Sequence, residues 1–143
     1  MAHTISFISD LFDPSAEPEN PMNPIAGHGV LVWLREHALD GSYESTEPDC
    51  EDWGWYIGVE SAGSSYMVGA TGFDNEDDNE DDAEDDSLSV PLEWTIQVVK
   101  HRSLGDALRR KNRMVQDDPI TRDIAEALLS NNGFDQVTVE YGR

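Results

Sequence analysis

Carboxylates are the most concentrated chemical groups in this chain, and their natural chemistry is the binding of cations. Residues 74–86 hold ten acids, no base and no glycine. An EF-hand calcium loop needs glycine at its sixth position and glutamate at its twelfth. Counted from Asp74, those positions hold Asn79 and Asp85. The run therefore predicts weak, diffuse association with divalent cations and no specific metal site.

A second concentration of reactive groups lies at residues 47–55, where four acids, one thiol and two indoles share nine positions. Two interpretations are open. In one, aromatic anchors beside fixed negative charge form a recognition edge for a partner protein. In the other, which is favoured for the indoles, a polar loop leads into a strand whose Trp53 and Trp55 fill the core. The flanking acids Asp49, Glu51 and Asp52 lie on the surface in both.

The known signatures of catalysis are missing from the sequence. Cys50, the single cysteine, is flanked by Asp49 and Glu51, and negative neighbours disfavour a reactive thiolate. The histidines lack the spacing of zinc ligands, and no phosphate-binding glycine motif or Gly-x-Ser-x-Gly motif occurs. We expect no catalytic residue, no metal and no cofactor. The alternative is an enzyme of unfamiliar type that uses carboxylates in a surface cleft.

Charge is divided unevenly along the chain. Residues 1–86 hold 22 acids and one base, Arg35, whereas residues 87–143 hold eight acids and eight bases. The net charge of −21 therefore resides in the first part. Such a field repels phosphate, so we expect no direct nucleic-acid binding and a basic protein surface as the partner. The alternative is a salt-adapted or cation-binding domain whose acidic loop serves only solvation.

Alternation of apolar and polar residues predicts five strands, at residues 4–8, 53–60, 65–73, 90–101 and 136–141. In the second strand, Trp53, Trp55, Ile57 and Val59 are predicted to share one face. The second and third strands form a hairpin, and the acidic run replaces a short hairpin connection between the third and fourth.

Helix signals predict three helices. The first covers residues 24–39, with Asn23 as its N-cap and Pro24 at the first helical position; its segment 30–34 could instead be a buried strand. The second opens at Ser103, and the third opens at residues 118–119 and closes at residues 132–133.

Together these elements predict a single α+β domain over residues 1–143. Its antiparallel sheet has about four to five strands built on a central hairpin, about three helices pack on one face, and an acidic flexible loop is inserted at 74–87. The sequence shows no signal peptide, no membrane-spanning stretch and no cysteine pair, which predicts a cytoplasmic protein. The Asp-Trp-Gly-Trp strand start at residues 52–55 resembles strand starts in small uncharacterised bacterial proteins, a resemblance that implies no activity.

The function predicted from these features is that of a non-enzymatic interaction protein. It is an inhibitor, antidote or adaptor that docks an acidic face on a basic partner, with imitation of nucleic acid as a sharper variant. The residues predicted to contact the partner are Asp49, Glu51, Asp52, Trp53, Trp55, Asp77, Asp78, Asp81 and Asp82.

Overall fold

A computed structural model describes residues 2–12, 16–18, 21, 25–41, 43–61, 64–74, 92–100 and 119–141. These ranges form seven strands and two helices, which confirms the α+β class. The elements in chain order are β1 (Ala2–Ser9), α1 (His28–His37), β2 (Glu44–Ser45), β3 (Asp49–Glu51), β4 (Gly54–Ser61), β5 (Ser64–Asp74), β6 (Leu92–Lys100), α2 (Pro119–Leu129) and β7 (Asp135–Tyr141). The helix predicted to open at Ser103 lies outside the described residues.

All strand pairs are antiparallel and belong to one sheet in the order β2-β4-β5-β6-β1-β7. Strand β3 also pairs with β4, further along the edge that β2 occupies. The prediction of four to five strands is too low because β2 and β3 are only two and three residues long. Strands of that length contain too few positions for an alternating pattern to show.

One face of the sheet carries the core. Residues directly opposite each other on antiparallel strands share a face. Ile5 lies opposite Ile96, and Ile96 lies opposite Ala70. Ala70 in turn lies opposite Trp55, and all four side chains are buried. The buried side chains of both helices join the same cluster, namely Val30, Leu31 and Leu34 from α1 and Ile120, Ile124 and Leu128 from α2.

The opposite face of the sheet, called here the outer face, carries small and polar side chains at its centre, together with the half-buried Ile8, Met67 and Val99. Its central positions are Thr4, Ser6, Thr71, Thr95 and Gln97, which are half-buried except for the exposed Gln97. Because these residues alternate with the core residues along the same strands, the sheet separates the apolar core from a more polar face. The candidate functional residues lie on the polar side.

Helix α1 begins four residues later than predicted. Its N-cap is Gly27, and no side chain caps the helix from that position. The carboxylate of Glu17 instead accepts hydrogen bonds from the backbone N–H groups of Gly27 (3.0 Å), His28 (3.0 Å) and Gly29 (2.9 Å). A side chain ten residues upstream thus satisfies the free donors at the helix start.

The predicted boundaries of 24–39 for this helix are therefore too wide. The helix runs over His28–His37, so the alternative of a strand at residues 30–34 is wrong. The predicted cap Asn23 and first residue Pro24 lie outside the described residues. The backbone donors at the observed start of the helix are satisfied by Glu17 and not by a side chain at the N-cap position.

Strands β5 and β6 form a hairpin around the acidic run. Asp74 lies directly opposite Leu92 at the ends of the two strands. This pairing confirms that the run stands where a short hairpin connection would otherwise be, although Asp74 itself belongs to β5. The other residues of the predicted loop at 74–87 lie outside the described residues.

Candidate acidic–aromatic surface

The hairpin of β3 and β4 presents the acids singled out in the sequence. Glu51 lies opposite Gly54, so Asp52 and Trp53 form a two-residue turn between the strands. Gly54 has φ 148°, which favours glycine. A Cβ atom there would also lie only 2.5 Å from the carbonyl oxygen of Ala70. This glycine therefore lets the hairpin pack tightly against β5.

The prediction that Trp53 and Trp55 share a face is wrong. Trp55 belongs to the core, where its Nε1 donates to the carbonyl oxygen of Ile25 (3.1 Å) and its ring meets His28 edge-on at 4.9 Å. Trp53 lies in the turn and packs over Gly69 on the outer face. The alternation begins only after the turn, so the two indoles are directed to opposite sides.

Three contacts hold Trp53 on the outer face. A Cβ atom on Gly69 would lie 2.6 Å from Cη2 of Trp53, so the indole occupies the space that a side chain would fill. The hydroxyl of Thr71 donates a hydrogen bond to the carbonyl oxygen of Trp53 (2.9 Å). The ring of Tyr56 lies 6.4 Å from the indole, tilted by 40°. Both aromatic side chains are half-exposed.

Asp49 fixes a negative charge beside this aromatic pair. It lies opposite Tyr56 across β3 and β4, and the Tyr56 hydroxyl donates to its Oδ2 (3.4 Å). Its other oxygen accepts a hydrogen bond from the N–H of Cys50 (2.8 Å). The charge of Asp49 is the main cause that raises the pKa of Tyr56 above its ordinary value, followed by burial. Tyr56 is therefore a neutral donor at physiological pH.

Negative charge extends along the whole edge formed by β2, β3 and β4. Residues 43–61 contain six acids and no base. Glu44 lies opposite Glu60, and both are exposed. Like charges directly opposite each other destabilise a sheet. Within the described ranges, no cationic side chain forms an ion pair with Glu44, Asp49 or Glu60.

The structure brings most of the predicted contact residues of this hairpin together. Asp49 and Asp52 are exposed, Glu51 and Trp53 are half-buried, and Trp55 is in the core with 6% of its surface exposed. The remaining predicted contacts, Asp77, Asp78, Asp81 and Asp82, lie outside the described residues.

Sequence reasoning missed Tyr56 as a site residue. Tyr56 stands between Trp55 and Ile57 in the sequence, so alternation puts it on the polar face of its strand. A large aromatic residue on the polar face of a half-buried strand is a signal that could have identified it.

A cleft of about 520 Å³ lies at the same edge, lined by Glu44, Ser45, Thr46, Gly58, Val59, Glu60, Ser65 and Tyr66. Two cations lie close to its lining. Nε of Arg35 donates to Oγ of Ser45 (3.1 Å), and Nζ of Lys100 lies 5.8 Å from the centre of the Tyr66 ring. The cleft thus combines carboxylates with nearby cations, and the hydroxyl of Ser65 in its lining donates to Oε1 of Glu60 (3.5 Å).

The described part of the chain contains neither a metal-binding cluster nor a membrane-spanning helix. No group of three or more His, Cys, Asp or Glu side chains there could hold a metal ion. Neither described helix has the length and apolar character needed to cross a membrane.

Comparison of the chain with protein-family models, with characterised proteins and with solved structures finds no match. The functional proposal therefore rests on the geometry and chemistry of the surface itself.

Proposed function

We propose that this protein is a non-enzymatic interaction protein, an inhibitor, antidote or adaptor, that docks its acidic–aromatic surface on a basic partner. The acidic–aromatic surface comprises Asp49, Glu51, Asp52, Trp53 and Tyr56. The observation that carries the proposal is the placement of Trp53 and Tyr56 on the polar face of the sheet, next to the charge of Asp49. A core role does not account for these two rings, because the core lies on the other face.

The chemistry of this surface favours arginine over lysine as the main contact. A guanidinium group can stack on an aromatic ring and form two hydrogen bonds to a carboxylate at the same time. A cation over an aromatic face contributes about 0.5–2 kcal/mol, depending on how far it is desolvated. Trp, Tyr and Arg are also the residues that most often dominate binding energy in protein interfaces.

Electrostatic attraction over a longer range supports the same partner class. The six acids of residues 43–61 give this edge a negative field, which speeds the approach of a basic surface. Screening limits that field to about 8 Å at physiological salt. Binding should therefore weaken as salt is added. Imitation of nucleic acid is a finer version of the proposal, in which the partner's surface normally binds phosphates.

The proposal is tested with two synthetic peptides of equal length and charge, one rich in arginine and one rich in lysine. Isothermal titration calorimetry at low and physiological salt should show tighter binding of the arginine peptide and a loss of affinity with salt. Trp53→Ala and Asp49→Asn should each weaken binding roughly tenfold, the size expected for an interface anchor of about 1.4 kcal/mol.

Glu126→Gln provides the matched control, since it removes one exposed carboxylate from α2, away from the acidic–aromatic surface. This variant should bind within about twofold of the parent protein. Equal loss of binding in Asp49→Asn and Glu126→Gln would show that only net charge matters. Equal affinity for both peptides in every variant would refute docking at this surface.

The part played by the acidic run can be separated from that of the hairpin. Because Asp74 lies directly opposite Leu92, residues 75–91 can be replaced by Asn-Gly, which forms a two-residue hairpin turn. We expect the shortened protein to keep the preference for the arginine peptide and its dependence on Trp53. Loss of that preference would place the specific contacts in the run.

A further inference from the structure

Strand β7 is an edge strand of the sheet that the described residues form. It is last in the strand order and pairs with β1 on one side, and no described strand pairs with its other side. Five of its seven residues are exposed, and Val137 and Val139 are half-buried. An exposed edge of this kind carries a row of backbone donors and acceptors that can pair with another strand.

The second half of β7 is the part suited to such pairing. The register with β1 shifts between Ser6 and Ile8, and Gln136 on β7 has φ 53°, so the strand is irregular at its start. Residues 138–141 pair regularly with β1. Strand β7 contains neither proline nor lysine, the residues that commonly protect an edge from pairing.

We propose that β7 pairs antiparallel with β7 of a second copy of this chain, about a two-fold axis at Val139. This register places Val139 opposite the partner's Val139. It places Val137 opposite the partner's Tyr141, and Thr138 opposite the partner's Glu140. An aromatic ring beside a β-branched side chain is a favourable pair across strands. The pairing would cover Tyr141, whose side chain is 44% exposed.

Neighbouring registers are less suitable. A two-fold axis at Thr138 would bring the irregular Gln136 into the new ladder. An axis at Glu140 would place two glutamates opposite each other, which is destabilising. A two-fold axis midway between two neighbouring residues would place core-facing residues opposite outward-facing ones. The axis at Val139 avoids all three defects.

The charge distribution is compatible with this dimer. The dimer itself does not depend on the proposed docking function. Five steps between strands separate β2 from β7 in the sheet order, about 24 Å at the usual strand spacing. The acidic edge is thus remote from the dimer contact, which limits repulsion between copies. The dimer would present two acidic–aromatic surfaces at opposite ends of one continuous sheet.

The oligomeric state of the full chain tests the inference, by analytical ultracentrifugation over a range of protein concentrations at physiological salt. We expect a concentration-dependent dimer. Thr138→Glu places two like-charge contacts in the interface, one from each copy to the Glu140 of the other, and should raise the dissociation constant about tenfold. Adding Glu140→Lys to Thr138→Glu should restore the dimer.

Gln97→Glu is the matched control, because it adds one negative charge to an exposed position on β6, within the sheet. It should leave the dissociation constant within about twofold. Circular dichroism of each variant verifies that its monomer is folded. A wild-type chain that stays monomeric at all concentrations would overturn the inference, as would equal effects of Thr138→Glu and Gln97→Glu.

Disulfide trapping tests the register itself. In a Cys50→Ser background, Val139→Cys should oxidise to a covalent dimer because the two thiols meet at the axis. Thr138→Cys should form much less covalent dimer, since the residue opposite it across the interface is Glu140. Preferential trapping by Thr138→Cys would contradict the proposed axis.

Discussion

The indole of Trp53 lies over Gly69, in the space that a side chain on β5 would occupy. A Cβ atom on Gly69 would come within 2.6 Å of Cη2 and 2.7 Å of Cζ3 of the indole. The position of the main aromatic group of the acidic–aromatic surface is thus determined by a residue without a side chain. The strand that supports this surface and the hairpin that carries it are coupled through this contact.

Gly69→Ala should therefore displace the indole. The added methyl group would overlap the far end of a half-exposed ring that can move aside, so the cost in unfolding free energy should be no more than about 1 kcal/mol, as for loss of the ring itself. Gly58→Ala is the matched control, since a Cβ atom on Gly58 would meet only Thr46, at 3.6 Å. Urea denaturation measures the free energy of unfolding of both variants. Peptide binding should weaken only for Gly69→Ala. Similar losses in the two variants would contradict the seating of Trp53 on Gly69.

Replacing each tryptophan of the hairpin in turn should distinguish the surface residue Trp53 from the core residue Trp55. Trp55→Ala removes a buried ring and should lower the free energy of unfolding by about 3–5 kcal/mol. Trp53→Ala removes a half-exposed ring on the outer face and should cost no more than about 1 kcal/mol. Chemical denaturation gives both values. Comparable destabilisation by the two changes would show that Trp53 is a core residue.

Loss of the Glu17 carboxylate should destabilise the start of α1. Glu17→Ala leaves three backbone N–H groups without their acceptor and should cost about 1–2 kcal/mol, the range found for lost N-caps. Glu36→Ala, which removes an exposed carboxylate in the same helix, is the control. Hydrogen exchange of Gly27, His28 and Gly29 should accelerate only in the Glu17 variant. Unchanged exchange there would refute the capping role.

A hydrogen bond between Tyr43 and Asp123 connects the segment before β2 to α2. The Tyr43 hydroxyl donates to Oδ2 of Asp123 (2.5 Å). Burial is the main cause that raises the pKa of Tyr43 well above its ordinary value, and the hydrogen bond and charge of Asp123 add to it. The folded protein therefore holds the phenolic proton more tightly than the unfolded chain does.

Stability should fall in alkali for this reason. The contribution from protonated Tyr43 is fully present below the tyrosine pKa of the unfolded chain, about 10, and is lost as the pH rises above that value. Tyr43→Phe removes this contribution, so its stability should change less between about pH 8 and about pH 11 than that of the parent. Urea denaturation at the two pH values checks this. Identical pH dependence in both proteins would show that Tyr43 is not the responsible group.

Asp123→Asn isolates the contribution of the Asp123 charge to the raised pKa of Tyr43. It keeps an acceptor for the Tyr43 hydroxyl and removes the negative charge, so the pKa of Tyr43 should fall towards its ordinary value without returning to it. Tyrosinate absorbance during an alkaline titration measures that change. The parent protein should show one tyrosine that titrates later than in Asp123→Asn.

The long alternating strands could be read from the sequence, because alternation directly reflects which side chains face the core. Ile5 and Phe7 on β1, and Ile96 and Val98 on β6, alternate with polar residues in the sequence, and all four are buried. The same reasoning did not reveal β2 and β3, whose stability comes from pairing with β4 and not from any pattern of their own.

The candidate site was less predictable because it depends on contacts between distant segments. The acids Asp49 and Asp52 could be assigned to the surface from their charge alone. The separation of Trp53 from Trp55 could not, because it depends on the turn before Gly54 and on the space above Gly69. The start of α1 was misplaced for a similar reason, since Glu17 is remote from the helix in sequence.

The place of β1 in the sheet has a consequence for the folding of the protein during its synthesis. Strand β1 lies between β6 and β7, which come after all the other described strands in the chain. Ile5 and Phe7 thus cannot reach their neighbours on β6 and β7 until those two strands have been translated, and such long-range closure makes folding slow. During that delay, the repulsion among 22 acids in the first 86 residues would keep nascent chains from aggregating. The acidity would then protect the protein before it has any surface with which to bind a partner.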